Sequence, residues 1–176
     1  MRHADSFDEF YRATALGMFR YGYALTGDRA DAQDVVQEAY ARAWRRWRML
    51  VDHPAPAAWV RRVISRLAAD RWRRLAGLRN ALARTGPPPP VRAPSEDTVL
   101  LVEALRRVPV RQRETLALHY LLGLSVEEIA AETGVAAGTV KSRLSRGRAL
   151  LAQRLGDLAP RSPRPSKGST VAGDAR

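Results

Sequence analysis

Residues 125–151 decide the fold, and they read SVEEIAAETGVAAGTVKSRLSRGRALL. Ser125 and Glu128 have the spacing of a capping box, in which two side chains satisfy free amides at the start of a helix. Gly134 can adopt the left-handed conformation that a tight turn between helices requires. The small Ala130, four residues earlier, lets the two helices cross closely. The stretch predicts a helix-turn-helix, a unit that binds DNA in many proteins and forms a structural corner in others.

The second helix of this unit, at about 136–155, has an apolar and a polar side. The apolar side must pack on the domain: Val140, Leu144, Gly147, Leu151 and Leu155. The opposite side carries the candidates for reading base edges in a major groove: Lys141, Ser142, Ser145 and Arg146. Arg143 and Arg148 lie on the flanks, where phosphate contacts would add affinity and salt dependence. For each cation the alternative is a merely solvated charge.

The composition of the 176-residue chain points to a nucleic-acid partner. Lys and Arg number 30 against 18 Asp and Glu, a net charge of +12, and arginine binds phosphate bidentately. The alternative source of the arginine is a GC-rich genome. The absence of cysteine excludes disulfides and cysteine-ligated zinc, and the three histidines are scattered, so we expect no metal and no cofactor.

Several protein classes are excluded by what the sequence lacks. The start of the chain has no apolar signal-peptide core, and no stretch of about 18 apolar residues exists, so we expect a soluble, cytoplasmic protein. A nucleic-acid enzyme is one alternative class. It is disfavoured because there is no glycine-rich phosphate loop and no nucleophile with a partner base.

Helix signals along the chain predict an all-α fold of two small domains, of three and four helices, joined by a Pro-rich linker. In the first domain we expect helices at about 7–25, 28–49 and 56–82, the first opened by a capping box of Ser6 and Glu9. In the second we expect helices at about 97–108 and 111–122 before the helix-turn-helix. The predicted boundaries are 7–83 for the first domain, 84–96 for the linker, 97–158 for the second domain and 159–176 for a disordered tail.

The second predicted helix has an acidic side in an otherwise basic protein. Its apolar side consists of Ala32, Val35, Val36, Ala39, Ala43 and Trp47, which leaves Asp34, Gln37 and Glu38 opposite. Such a face would repel DNA, so we interpret it as a docking surface for a positively charged protein. The alternative is that these acids merely suit the positive end of the helix dipole.

The third predicted helix is strongly basic and contains tryptophan. Asp70 is its only acid, against Arg61, Arg62, Arg66, Arg71, Arg73, Arg74 and Arg79. Arginines hold phosphates, and an indole offers a platform for an unpaired base, so Trp59 and Trp72 make single-stranded nucleic acid a candidate ligand. The alternative is that either tryptophan lies in the core.

These elements, in this order, resemble the extracytoplasmic-function (group IV) sigma factors of bacterial RNA polymerase, over about residues 7–155. Three strings carry the resemblance: DAQDVVQEAYARAW at 31–44, WVRRVISRLAADRWRR at 59–74 and GTVKSRLSRGR at 138–148. It implies that the first domain is sigma region 2 and the second is sigma region 4. The chain would then bind core polymerase and direct promoter recognition, DNA melting and transcription initiation at a specific regulon, with all chemistry left to the polymerase.

The resemblance also implies partners and site residues. Region 2 would dock on the β′ clamp helices through Asp34, Gln37 and Glu38. It would hold the −10 element through Arg61, Arg62, Arg66, Arg71, Trp72, Arg73 and Arg74. Region 4 would contact the β flap and read the −35 element through Thr139, Lys141, Ser142, Arg143, Ser145, Arg146 and Arg148. An anti-sigma factor and a nucleoid location, when bound to polymerase, are further expectations.

One departure and one rival class accompany this interpretation. The chain has Ser65-Arg66 where the family often has Asn after Ala-Arg, so no −10 base preference is implied at that position. The rival is a transcription regulator with a helix-turn-helix output and an N-terminal sensor domain. It would need a ligand pocket or a phospho-acceptor domain, which about 80 arginine-rich helical residues do not suggest.

Overall fold

The computed structural model of the chain describes residues 2–81 and 96–158. Over these residues it consists of eight helices and no strand, which confirms the predicted all-α class. The helices are α1 (Arg2–Thr26), α2 (Arg29–Arg45), α3 (Trp47–Leu50), α4 (Pro56–Ala81), α5 (Glu96–Arg106), α6 (Val110–Tyr120), α7 (Val126–Thr133) and α8 (Ala137–Leu158). The predicted linker, apart from residue 96, and the predicted tail lie outside the described residues, so the domain boundaries stay a prediction.

The first four helices form the N-terminal half, in which α1 packs against α2 and α4. The apolar side predicted for the second helix is confirmed, since all six of its residues are buried; five lie on α2, and the sixth, Trp47, lies on α3. Asp28 caps α2, because its side chain accepts a hydrogen bond from the amide of Asp31 at 2.9 Å. This packing fixes which sides of α2 and α4 face outward.

Two local predictions in the N-terminal half are wrong. The capping box of Ser6 and Glu9 does not form, because α1 already begins at Arg2 and the Ser6 hydroxyl accepts a hydrogen bond from Trp47 Nε1 at 2.9 Å. The second helix does not continue to Met49, because the chain breaks at Arg46 and resumes as the short α3. The break lets Trp47 and Leu50 both turn into the core.

The last four helices form the C-terminal half, in which α8 packs on α5, α6 and α7. Two small domains of the predicted kind would each have a core of their own. Instead the buried apolar residues form one contiguous cluster, which runs from Met18 and Tyr21 on α1 to Leu118 on α6 and Ile129 on α7. The cluster is continuous because α1 also contacts α5 and α6. Among the described helices, none combines the length and the apolar character that crossing a membrane requires.

Candidate nucleic-acid and protein interfaces

The predicted helix-turn-helix is confirmed in its local geometry. The Ser125 hydroxyl accepts the amide of Glu128 at 3.2 Å, and the Glu128 carboxylate accepts the amide of Ser125 at 2.8 Å. The Ser125 amide and hydroxyl both donate to the Glu128 carboxylate, and these two bonds hold the pKa of Glu128 below its ordinary value. Gly134 ends α7 with a φ of 70°, and its amide donates to the carbonyl of Ala130 at 2.9 Å. The turn thus sets the angle at which α8 leaves α7.

The inner side of α8 is the apolar side that the sequence predicts. Val140 and Leu144 are buried, and Leu151 packs partly buried against the core. At Gly147 a Cβ would lie 3.0 Å from Leu116 Cδ1, so any larger residue would push Leu116 aside and glycine allows the close approach of α8 to α6. α8 is therefore held against the C-terminal half along one side, and its other side is free to enter a groove.

The outer side of α8 exposes most of the predicted −35 residues. The exposed ones are Thr139, Lys141, Ser145, Arg146 and Arg148, whereas Ser142 and Arg143 are half-buried. The Ser142 hydroxyl donates to the carbonyl of Thr139 at 3.0 Å, and Arg148 Nη1 donates to the Tyr120 hydroxyl at 3.3 Å. Arg143 lines a cleft between the two halves. The structure thus brings Lys141, Ser145 and Arg146 onto one solvent-facing surface.

The acidic side of α2 is exposed but partly neutralised by neighbouring arginines. Asp34 lies 3.4 Å from Arg71 Nη1, and Arg71 also pairs with Asp31. Glu38 accepts a hydrogen bond from Arg42 Nε at 2.7 Å, which lowers the pKa of Glu38. Asp34 and Glu38, two of the predicted docking residues, therefore each have an arginine next to the carboxylate.

Gln37, the third predicted docking residue, borders a shallow groove between α1 and α2. The groove has a volume of about 370 Å³, and Tyr11, Leu16 and Phe19 contribute its apolar lining. Leu16 is 62% exposed, which is high for a leucine in a helix that is otherwise packed on the core. The docking side thus combines carboxylates, an amide and exposed apolar groups.

A basic cleft of about 600 Å³ lies between the end of α2 and the first half of α4. It brings together two of the predicted −10 arginines, Arg62 and Arg66, with three that the sequence reasoning missed. The missed residues are Arg42, Arg45 and Arg46. Trp59 also lines this basic cleft, and the Arg46 guanidinium lies 5.9 Å from the centre of its ring. Guanidinium groups around a half-buried indole suit an unpaired base and its phosphates.

The other predicted −10 residues are not in this basic cleft. Arg61 pairs with Glu132 of the C-terminal half, and Arg73 pairs with Asp70. Trp72 is half-buried and its Nε1 donates to the carbonyl of Leu25 at 2.9 Å. Arg71 faces the carboxylates of α2, and Arg74 is exposed. Their assignment to −10 DNA stays a prediction.

A sequence signal for the missed arginines exists in the string YARAWRRWR at 40–48, which contains four arginines within seven residues from Arg42 onward. We interpreted this segment as the basic end of one long helix. The break at Arg46, with φ −113° and ψ 10°, changes the direction of the chain there. Because α3 turns away, the end of α2 stands beside α4 and completes the basic cleft.

Comparisons with known proteins agree with this arrangement. The model of sigma-70 region 2 matches residues 10–77, and that of sigma-70 region 4 matches residues 98–151. The ECF RNA polymerase sigma factor SigL of Mycobacterium tuberculosis is 37% identical over 76% of this chain and 80% of its own length. The RNA polymerase sigma-E factor of Streptomyces coelicolor is 34% identical over 85% of each chain.

A solved structure agrees as well. The sigma factor RpoE of Bartonella quintana, crystallised with the anti-sigma factor NepR, is 25% identical with a TM-score of 0.60. The match covers 84% of this chain and 97% of that one. Both sigma regions match in order, and the helix-turn-helix lies within the second. The chain therefore belongs to the extracytoplasmic-function group of sigma-70 factors, the subunits that direct RNA polymerase to promoters for transcription initiation.

Proposed function

We propose that the chain divides promoter recognition between the outer side of α8 and the basic cleft on α2 and α4. The observation that carries this proposal is the exposure of Lys141, Ser145 and Arg146 on a helix whose opposite side is packed. A helix held in this way can enter a major groove without unfolding any part of its own domain. Lys141 and Arg146 then donate hydrogen bonds to guanine edges, and the Ser145 hydroxyl can form a hydrogen bond with either base of a pair.

The basic cleft takes the separated strand of the −10 element. Five arginines, from Arg42 to Arg66, surround Trp59, so phosphates can be held while one unpaired base stacks on the indole. Stacking of this kind is worth about 1–3 kcal/mol per base, which offsets part of the cost of opening the duplex. In this proposal the N-terminal half stabilises melted DNA, and the polymerase supplies all bond-making chemistry.

The acidic side of α2 docks on the β′ clamp helices of core polymerase through Asp34, Gln37 and Glu38. Carboxylates next to an apolar groove suit a partner helix that carries both basic and apolar groups. The C-terminal half contacts the β flap. Because RpoE is seen bound to an anti-sigma factor, we also propose an inhibitor of that kind here, and a cytoplasmic location on the nucleoid when the chain is bound to polymerase.

Transcription with purified components tests this function. The chain, added to bacterial core polymerase and genomic DNA fragments, should start RNA synthesis at a discrete site. Changing Asp34→Lys together with Glu38→Lys should abolish binding to core, measured by co-elution, because a basic face cannot dock where an acidic one does.

A matched control is Asp8→Lys with Glu9→Lys, since both acids are exposed on α1 and the charge change is the same. This control should keep core binding. If the Asp34 and Glu38 variant keeps it too, with an unchanged helical circular dichroism spectrum, the docking assignment is wrong. A chain that binds DNA and never associates with core polymerase would contradict the function as a whole.

A further inference from the structure

A second cleft lies where α4 faces the C-terminal half, and we call it the central cleft. It has a volume of about 540 Å³, which is within the usual range for a small-ligand site. The first half of α4 forms one wall, and α6, α7 and the start of α8 form the other. Its charged lining residues are Arg61, Arg62, Arg66, Arg111, Arg143, Glu114 and Glu132. Arginine therefore outnumbers acid in this cavity.

Both carboxylates in the central cleft already have donors. Glu132 accepts a hydrogen bond from Arg61, at 2.8 Å between Nε and Oε1. Glu114 accepts a hydrogen bond from the Ser65 hydroxyl, and Arg111 Nη1 lies 3.7 Å from its other carboxylate oxygen. Each carboxylate thus has one arginine that balances its charge. An anion that enters the cleft meets no unpaired negative group.

Three guanidinium groups of the central cleft have no counterion. Arg66 and Arg143 form no ion pair with any acid in the described part of the chain. Arg62 donates its Nε to the carbonyl of Glu132 at 3.2 Å, which leaves its positive charge uncompensated. Arg62 and Arg66 lie on α4 and Arg143 lies on α8, so these charges come from opposite walls. Guanidinium groups donate two parallel hydrogen bonds to phosphate oxygens, which makes phosphate the preferred anion.

The lining of the central cleft favours a phosphate chain over a base or an apolar molecule. Tyr21, the one aromatic residue among those that line it, is 1% exposed, so its ring offers no platform for stacking. Leu118 is equally buried, and most of the accessible lining is polar. The basic cleft differs in this respect, because it presents Trp59 among its arginines. Uncompensated cations without a stacking surface suit a compact ligand with several negative charges.

We propose that the central cleft binds a linear chain of phosphates, as found in nucleoside triphosphates and in inorganic polyphosphate. Arg62 and Arg66 hold the phosphates from α4, and Arg143 holds them from α8. The pair of Arg61 and Glu132, whose side chains are 13% and 8% exposed, fixes the spacing of the two walls. Several phosphates are needed, because a single one cannot contact cations on both walls.

Two shared arginines couple the central cleft to the basic cleft. Arg62 and Arg66 line both cavities. A guanidinium group that holds a triphosphate ligand cannot at the same time hold a phosphate of the −10 strand. The bound ligand therefore weakens the binding of unpaired DNA. This consequence rests on the proposed function of the basic cleft, whereas the phosphate site itself does not.

Isothermal titration calorimetry of the full chain with inorganic triphosphate tests the site. At about 0.15 M salt, exposed charges are screened beyond about 8 Å, so scattered surface arginines contribute little. We expect saturable binding of triphosphate. Inorganic monophosphate should bind at least about 10-fold more weakly, because it makes fewer charge-assisted hydrogen bonds. Equal affinity for the two anions, or no saturable binding of triphosphate, overturns the proposal.

Charge-neutralising variants locate the bound triphosphate. Arg66→Gln and Arg143→Gln should each weaken its binding by about 10-fold. The matched controls Arg74→Gln on α4 and Arg148→Gln on α8 remove the same charge from exposed positions outside the cleft, and should change the affinity by less than about 2-fold. Equal losses in variants and controls would leave only an effect of net charge and overturn the site. Because Arg66 is exposed, its replacement keeps the test valid even if Arg143→Gln perturbs the fold, which circular dichroism checks.

Nucleotides distinguish the two sources of the phosphate chain. Adenosine and guanosine triphosphate that bind no more tightly than inorganic triphosphate support a site for inorganic polyphosphate. Tighter binding of either nucleotide supports a nucleotide ligand whose base or sugar also contacts the cleft.

Displacement of a fluorescent single-stranded oligonucleotide tests the coupling between the two clefts. Saturating triphosphate should release the oligonucleotide from the unaltered chain and release less of it from Arg143→Gln at the same concentration. An oligonucleotide that stays bound while triphosphate fills its site contradicts the assignment of Arg62 and Arg66 to −10 DNA. In that case the phosphate site stands, and the failure lies with the proposed function of the basic cleft.

Discussion

The two arginine-rich helices α4 and α8 differ in what their charges contact. On α4, Arg61 pairs with Glu132, Arg71 pairs with Asp31 and Asp34, and Arg73 pairs with Asp70. On the outer side and flanks of α8, four cations form no ion pair with any acid in the described part of the chain: Lys141, Arg143, Arg146 and Arg148. The comparison shows that an arginine on the surface of a helix is available to a ligand only where no neighbouring carboxylate already holds it. α8 can bind phosphate as it stands, whereas part of α4 must first be released.

The largest effect separates the two sides of α8. Leu144→Ala removes a side chain that is 6% exposed and should lower the free energy of unfolding by about 2–5 kcal/mol, because it leaves a cavity against the C-terminal half. Urea denaturation measures the loss. Ser145→Ala, one residue later and exposed, should stay within about 0.5 kcal/mol. Similar losses at both positions would mean that α8 has no free side.

The next effect concerns recognition by α8. Arg146→Ala should weaken binding at one base pair of the −35 element by about 1–3 kcal/mol, without affecting the other base pairs. Competition binding over duplexes with single base changes would locate that base pair. Arg148→Ala should instead weaken binding to all sequences alike and reduce its salt dependence. A uniform loss for Arg146→Ala would make it a phosphate contact.

A comparable stability effect is expected on α4. Arg61→Ala leaves the Glu132 carboxylate without its partner and should lower the free energy of unfolding by about 1–3 kcal/mol. The matched change Arg73→Ala breaks an exposed pair with Asp70 and should cost at most about 1 kcal/mol after solvent screening. Chemical denaturation of both variants compares them directly. A larger loss for Arg73→Ala would remove the contrast between buried and exposed arginines on this helix.

The smallest effect is the pH dependence of the cap at the start of α7. The pKa of Glu128 is held below its ordinary value of 4.5 by its bonds with Ser125. A carboxyl with a lowered pKa in the folded state stabilises the fold above its unfolded pKa, and this contribution is lost as the pH falls through the lowered value. Glu128→Gln should therefore flatten the stability curve below pH 4.5. Glu127→Gln serves as the control, and an identical curve for both variants would contradict the cap.

The sequence predicted α8 well because its determinants are local. The capping pair Ser125 and Glu128, the turn at Gly134 and the spacing of Val140 and Leu144 all lie within one short segment. Helical periodicity then assigns each side chain to a side of the helix. The exposed position of Arg146 follows from that pattern alone, and so does the position of Gly147 on the packed side.

The sequence did not predict the contacts of α4 because these depend on distant residues. Glu132 lies 71 residues after Arg61, and nothing in the spacing of either helix indicates that they meet. The break at Arg46 was also hidden, since the residues around it are ordinary helix formers and only tertiary packing favours the turn. Consequently Arg62 and Arg66 were among the predicted nucleic-acid contacts, while the arginines at the end of α2 that complete the basic cleft were missed.

The separation of Arg61 and Glu132 along the chain also has a consequence for biosynthesis. At about 5–20 residues per second, a ribosome adds Glu132 about 4–14 seconds after Arg61. During that time the nascent N-terminal half has no carboxylate from α7 to cover its basic surface. Cellular RNA and other polyanions compete for the same arginines in this interval. Each newly made molecule therefore passes through a short period in which α7 has not been synthesised and cannot cover the arginines of α4.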